Sequence, residues 1–510
     1  MDDPVFDVKS PLYIEDATNH ENVYSARTDT STGFLSSLIR KYSFPDYGYT
    51  VPRYPVDKCT VIRASLFDDT GDCLDSIAGT YFVGFQGRSA YQDIYTASLV
   101  TAPENLFDDD IGIYVTGNTF RQFSGELPDE SSEISPWWLW PSNYSNKGMD
   151  WERASYITLF DNHQNIVLSQ KCGIRIKGGG SRATLPKSLS CYAREIYDGS
   201  NRFDANIFQT DSFPHKIVLF AGGDDNLFKL KDYLVNTMVQ DLPFATMDFI
   251  PCAAFLDGEY WGMYFITEDY NAAYIHDHYQ VDPDNIIMIK ATGLDQADLA
   301  EGNEEDYNEY KEMLAFIGEH DMSDSANYNH ACDLIDMESY IDYYATEIYI
   351  ARYGDWPSGN FSLWRTREND GSRYGDTKWR YMLFDVNSYG IGKNSLSNDT
   401  LSYVLTEDST FFALYQNEEF RRQFANRLLY IGREVFAPEK CNQFLDQYAQ
   451  TLKEPIAASN MRFYMDEKND EFEQNVTNIK AFFENRYDVV WNFLAENMGE
   501  EWLSQNGIQK

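Results

Sequence analysis

Two acids and an amide in the second half of the chain have the types and spacing of a hard-cation site. Asp355 precedes Asn360 by five residues in "DWPSGNF", and Asp385 closes the run "WRYMLF". Carboxylate and amide oxygens are what Mg2+ prefers, with little else required. Far upstream, Gly178, Gly179, Gly180, Ser181 and Arg182 form a turn in which no Cβ keeps backbone amides away from phosphate oxygens. Lys187 follows on the next strand as a fixed positive charge. A Gly turn with a lysine can hold phosphates, Asp355 can stand beside an attacking hydroxyl, and Asn360 and Asp385 can hold the metal that phosphoryl chemistry needs.

The Gly turn lies within a local reversal of charge. Residues 171–194 carry Lys171, Arg175, Lys177, Arg182, Lys187 and Arg194 and no acid, in a chain of formal charge −40. Average composition would place about two bases and about four acids there. Either chance produced this local reversal of charge, or something anionic binds here. Side chains alternate along strands, so about half of the bases should face away from it. The expectation narrows to the Gly-Ser turn, Arg182 and, above all, Lys187.

The elements that must position these groups are legible in outline. From about residue 55 to 116, β-rich runs such as "CTVIRASLF", "GTYFVGF" and "IYTASLV" alternate with turn signals, which predicts a small β-sandwich over 1–116. The Ser-, Pro- and Trp-rich segment 117–150 lacks periodicity and reads as a connecting loop packed by its aromatics. Strands then flank the Gly turn, Asp225 can cap a helix in "NLFKLKDYLVNTMVQDL", and Asp257-Gly258 turns a hairpin. A second amphipathic helix, "MESYIDYYATEIYIARYG", leads directly into Asp355. Two strands follow, and the remainder from about 406 to 500 is helical. Strands followed mostly by helices give an α+β layout, with a β-rich N-lobe over about 151–268 and a helical C-lobe over about 269–500.

Bulk composition sets the remaining bounds. Apolar residues form 43% of the 510, with 37 Tyr and 33 Phe, enough to build folded cores. No stretch suggests membrane insertion, and the first residues lack the basic flank and apolar centre of a signal peptide. The strong negative charge repels nucleic acid and favours basic partners. The seven cysteines include no C-x-x-C pair, so buried free thiols are expected over zinc or a disulfide framework; a Cys59–Cys73 bridge is the alternative.

Taken together and in order, "GIRIKGGGSRATLPKSL", "LFKLKDYLVNTMV", "FLDGEYWGMYFITED", "IYIARYGDWPSGNFSLWR" and "KWRYMLFDVNSYG" resemble the signature segments of the spore coat protein H (CotH) kinase family, over roughly residues 150 to 500. The resemblance implies an atypical protein-kinase-like, two-lobed fold using ATP and Mg2+ (or Mn2+) to phosphorylate serines or threonines of basic, Ser-rich partner proteins, or of the chain itself. It implies a spore-coat or cell-envelope setting. Carried over residue by residue, Lys187 would hold the nucleotide phosphates, together with the Gly178–Arg182 turn, and Glu268 would sit near the nucleotide at the lobe junction. Asp355 would orient or deprotonate the acceptor hydroxyl, and Asn360 and Asp385 would hold metal. Asn387 is a turn residue or a further ligand.

Two departures from an ordinary kinase bear on these roles. Residues 226–242 offer only Asp232 and Asp241 as acids, so Asp232 or Glu268 would take the place of the usual glutamate beside Lys187. No His-Arg precedes Asp355, where the sequence is "ARYG". Two other functions compete: a catalytically inactive or weak scaffold of a coat or cell surface, whose β-sandwich binds a partner or glycan, and a kinase-fold adenylyltransferase. The acidic stretch Asp295, Asp298, Glu301, Glu304, Glu305 and Asp306 is a solvated surface or a lure for basic substrate tails.

Overall fold

A computed structural model describes residues 11–127, 134–208, 210, 213–292 and 297–510. Thirteen strands are described. The first two, β1 (Thr60–Phe67) and β2 (Cys73–Tyr81), pair only with each other. Seven more close into a barrel: β3 (Tyr95–Val100), β4 (Arg153–Phe160), β5 (Ile166–Ile176), β6 (Leu189–Tyr192), β7 (Lys216–Phe220), β8 (Phe249–Leu256) and β9 (Glu259–Thr267). The barrel order is β3-β4-β5-β6-β7-β9-β8, and the parallel pairing of β3 with β8 closes it. A second sheet, in the order β11-β10-β12-β13, joins β10 (Ile286–Ala291), β11 (Asp298–Glu301), β12 (Phe361–Thr366) and β13 (Arg380–Met382).

Among the described residues of 1–116 no separate sandwich forms. Every residue of β3 after Tyr95 is buried, so this strand needs neighbours on both edges and cover on both faces. It finds them in β4 and β8, inside the barrel. The β1–β2 ribbon cannot supply them, because its outer half is exposed on both faces, with Leu66, Phe67, Leu74 and Ile77 in water. The 117–150 segment contains a helix, Gly117–Ser124, where aperiodicity suggested none. Its Trp137 and Trp140 are fully buried in the barrel's core cluster, as a segment packed by its aromatics should be.

Alternation of side chains gives the barrel an inside and an outside. Ile174 and Ile176 of β5, Leu189 and Cys191 of β6, and Ile217 and Leu219 of β7 all join one core. Arg175, Ser190, Tyr192, Lys216 and Val218 take the opposite face, as the registers Arg175↔Ser190, Ser190↔Val218 and Tyr192↔Lys216 require. The β8–β9 hairpin turns through Asp257-Gly258, both at positive φ, as the sequence predicts.

Helices dominate from residue 304 onward. The Met337–Tyr349 helix, capped by the Asp336 side chain on Ser339 N, is buried on every face from Ser339 to Tyr349. The long Pro438–Tyr464 helix packs directly on β9. Gly262 permits this contact: at φ +127°, a Cβ there would lie 2.9 Å from Ser459 Oγ and 3.2 Å from Phe463. The α+β class is as expected. All seven cysteines are free, with Cys59 buried and Cys73 exposed, so no Cys59–Cys73 bridge exists. Among the described residues no helix is long and apolar enough to cross a membrane.

Candidate active site

Asp355 and Asp385 meet because of sheet pairing. Asp355 and Asn360 lie just before β12, and Asp385 lies just after β13. These strands are antiparallel, with Ser362 opposite Met382, so the start of one and the end of the other share one end of the sheet. The loop from Ile350 to Asn360 is pinned to the helix before it: Trp356 Nε1 donates to Tyr343 OH at 3.0 Å, and Arg352 N to Glu347 O at 3.0 Å. Asn360 and Asp385 both adopt left-handed backbone, φ +47° and +55°, which short polar side chains tolerate best and which concentrates at functional loops.

Asp355 is 7% exposed, and its carboxylate is held on both sides. Asn360 Nδ2 donates to Oδ2 at 2.6 Å, and Arg352 Nε approaches Oδ1 at 3.4 Å. Arg352 is wholly buried; it also donates to Phe384 O at 3.3 Å and faces Glu347 at 3.6 Å. One guanidinium thus ties the Asp355 loop to the Asp385 loop. Arg352 stands three residues before Asp355, so a search for a basic residue immediately preceding the aspartate misses it.

Asp385 is anchored from the barrel side. Asn387 Nδ2 donates to Asp385 Oδ1 and to Asp232 Oδ2, each at 2.6 Å, while Val386 N donates to Asp232 Oδ1 at 3.0 Å. Asp232 lies in the first turn of the Lys231–Val239 helix, which Asp225 caps from outside by accepting from Leu230 N and Lys231 N. Asp224 adds a second tie, donating its backbone N–H to Asn387 Oδ1 at 2.9 Å and accepting from Ser388 Oγ at 2.8 Å. Asn387 is therefore a joint between two acids, one from each side.

The electrostatics of this cluster suit a cation. Burial, then the neighbouring Asp385, pushes Asp232 up to about 7, and burial does the same to Glu347 despite Arg352. Asp385 is also raised, chiefly by burial and with Asp224 and Asp355 adding to it, although Arg352 opposes them. Four buried or nearly buried acids share one arginine. A divalent cation on Asp385 and Asn360 would supply the missing positive charge, and their donors are the oxygens Mg2+ prefers.

The expected phosphate-binding lysine sits elsewhere. Lys187 is 0% exposed, and its Nζ donates to Arg182 O at 2.5 Å and lies 3.8 Å from the Tyr144 ring centroid. Tyr114 OH accepts from Lys187 N, and Tyr264 OH donates to Lys187 O. Burial holds its ammonium well below the usual lysine range. By strand alternation Lys187 belongs with Leu189 and Cys191 on the core face. Neither Asp232 nor Glu268 pairs with it: Asp232 serves Asn387 and Val386, and Glu268 bonds His278 Nε2 at 2.6 Å and accepts from Asp248 N at 3.2 Å. Glu268 directly follows β9.

The Gly turn is also fastened down. Arg182 Nε donates to Gly178 O, and its NH1 to Tyr144 O and Asn146 O, so this guanidinium braces the turn against the 117–150 segment. Gly180 sits against Trp138, where a Cβ would come within 2.9 Å. Gly179 stays open, with nothing near a Cβ, and Ser181 is half-buried. The bases outside the barrel core are different ones. Lys177 Nζ lies 2.6 Å from Asp269 Oδ1, Lys216 Nζ binds Asp269 Oδ2, and Lys290 from β10 lies 3.9 Å over the Phe384 ring, one residue before Asp385. Of the acidic stretch, Asp295 falls outside the described residues. Asp306 is buried as a helix-capping partner of Asn303 and pairs with Arg367, so it serves structure.

No curated protein matches the chain. A comparison with protein families matches residues 174–490, more than half of its length, to the family described as CotH kinase protein. The match spans the Gly turn, the Asp232 helix, the Asp355–Asn360 loop and Asp385. The chain belongs to the CotH kinase family.

Proposed function

We propose that the protein is an atypical protein kinase that transfers the γ-phosphate of ATP, with Mg2+ or Mn2+, to serine or threonine hydroxyls of basic, Ser-rich proteins or of itself. The barrel is then the N-lobe and the helical body the C-lobe. The observation that carries this reading is the joined set Asp355, Asn360, Arg352 and Asp385, assembled from two loops at one end of one sheet. A scaffold has no physical need to bury four acids around one arginine. The negative charge of −40 suits basic substrates.

In this reading Asp385 and Asn360 hold the cation. That cation, when bound, neutralises charge on the phosphates and on the transferring group. Asp355, with Oδ2 held by Asn360 and Oδ1 facing Arg352, is fixed so that its carboxylate can accept the hydrogen bond of an acceptor hydroxyl and align its oxygen. Arg352 keeps the Asp355 and Asp385 loops at a constant separation. Asn387 and Asp232 fix the Asp385 loop against the Lys231–Val239 helix. Little covalent chemistry is asked of the protein; positioning and charge do the work.

The test is incubation of the full chain with γ-labelled ATP, Mg2+ and a basic Ser-rich peptide, followed by intact-mass measurement. Phosphate incorporation that Asp385→Ala abolishes is expected. A product heavier by a nucleoside monophosphate would instead identify an adenylyltransferase, and no product from wild type with varied basic substrates would leave the scaffold reading.

A further inference from the structure

Two ammonium groups of the barrel grip one carboxylate, and a third, from the second sheet, stands within electrostatic reach of it. Lys177 reaches from the end of β5 and Lys216 from the start of β7, on the barrel face opposite the core, to grip the two oxygens of Asp269. Their side chains keep 26% and 16% exposure, whereas Lys187 keeps none. Lys290 comes from β10, opposite Ser362 and two residues beyond Asn360 in the facing strand. Among the described residues its ammonium has neither a hydrogen bond nor an ion pair; only the Phe384 ring lies beneath it.

This is a local excess of buried positive charge in a chain of −40. Burial disfavours ionised Asp269, but Lys177, Lys216 and Lys290 outweigh it and hold the carboxyl below its usual range. Asp269 cannot repay all three: burial still pulls Lys177 down to about 7 and lowers Lys290. Charges left underpaired in this way are stabilised by an added anion.

The surroundings define the anion. Lys216 also lines a cavity of about 510 Å3, with Tyr192, Arg194 and Asn271 among its walls, within the range of small-molecule sites at about 300–1,000 Å3. Lys216 lines that cavity and shares Asp269 with Lys177, while Lys290, over Phe384, lies within electrostatic reach of both Asp269 and Asp385. A molecule with an uncharged head in the cavity and an extended polyanionic tail reaching the cation site matches this arrangement. We infer that Lys177, Lys216 and Lys290 seat the phosphate tail of the nucleoside triphosphate, with Asp269 spacing the first two, and that Lys187 is a structural residue of the barrel. The identity of the head rests on the kinase reading above; the seat itself rests on the lysines.

The experiment titrates the full chain, in EDTA, with inorganic tripolyphosphate and separately with ATP, using wild type, Lys177→Met, Lys290→Met, Lys290→Arg and Lys187→Met. Both ligands should bind at least tenfold more weakly to Lys177→Met and Lys290→Met and less weakly to Lys290→Arg. Lys187→Met should melt at lower temperature yet bind ATP within twofold of wild type. Because a Met variant can fail to fold, wild type is also acetylated with limiting acetic anhydride, with and without tripolyphosphate, and mapped by mass spectrometry. Protection of Lys177, Lys216 and Lys290 is expected. Tripolyphosphate affinity unchanged in folded Lys177→Met and Lys290→Met, or no protection at the three lysines, overturns the seat, as does a wild type that binds neither ligand. Binding of tripolyphosphate without ATP keeps the seat and removes the nucleotide reading; ATP binding indifferent to the lysines does the reverse.

Discussion

Asn387 Nδ2 donates to Asp385 Oδ1 and to Asp232 Oδ2 at the same distance, 2.6 Å, so one amide group joins the acid after β13 to the first turn of the Lys231–Val239 helix. In an ordinary kinase the helix glutamate at this place pairs with the phosphate lysine. Here the helix acid is turned to the Asp385 loop, and Lys187 is caged by carbonyls and tyrosine rings. The coupling between helix and site is kept, but it runs through different atoms.

Removing that joint should cost both stability and transfer. Asn387→Leu removes the donor to Asp232 Oδ2 and to Asp385 Oδ1, at about 1–3 kcal/mol for the unsatisfied oxygens. Thermal melts should shift down by several degrees, and phosphate incorporation should fall at least tenfold. A variant with wild-type transfer would show that Asp385 does not depend on Asn387.

Asp385 and Asp355 should separate into different roles. Asp385→Ala is expected to lose the thermal stabilisation that Mg2+ or Mn2+ gives wild type, because it removes a metal oxygen. Asp355→Asn should keep that stabilisation and still lose transfer by about 10²–10⁴-fold, the usual scale for a group acting on the proton of the acceptor. Differential scanning fluorimetry with and without metal, beside the labelled-ATP assay, reads both. Loss of the metal shift in Asp355→Asn would move that residue into the metal set.

Glu347 gives a pH signature. Its carboxyl is raised from 4.5 to about 7 in the folded chain, chiefly by burial, so the folded state holds a proton that the unfolded chain releases. Stability from this group is complete below about 4.5 and is lost as pH rises through about 7. Glu347→Gln cannot ionise, so its melting temperature relative to wild type should increase between pH 5 and about 8. Equal pH slopes for the two proteins would show that Arg352 fully compensates the charge.

Gly262 tests how the barrel is locked to the helical body. A valine there meets Ser459 Oγ and Phe463 at sub-van der Waals range, on backbone at φ +127° that β-branched residues avoid. Gly262→Val should express poorly or melt far below wild type, whereas Gly71→Asn, in the β1–β2 turn at φ +91° with nothing near a Cβ, should be much milder. Comparable melts for wild type and Gly262→Val would mean that the Pro438–Tyr464 helix shifts freely on β9.

Local periodicity and turn chemistry made the α+β order, the Asp257-Gly258 hairpin and the helix leading into Asp355 legible in the sequence, and donor type and spacing singled out Asp355, Asn360 and Asp385 as candidates. The sequence also held a clue to Lys187 that simple charge counting passed over. In "KSLSCY" Lys187 alternates in phase with Leu189 and Cys191, which places it on the apolar face. Only tertiary structure decided that β3 is a barrel strand, that Arg352 bridges two loops across 32 residues of sequence to Phe384, that Asp232 meets Asn387 and that Lys177 and Lys216 grip Asp269 within electrostatic reach of Lys290. Those relationships join residues far apart in the chain through barrel closure and strand pairing, and no local pattern encodes which distant side chain will stand opposite.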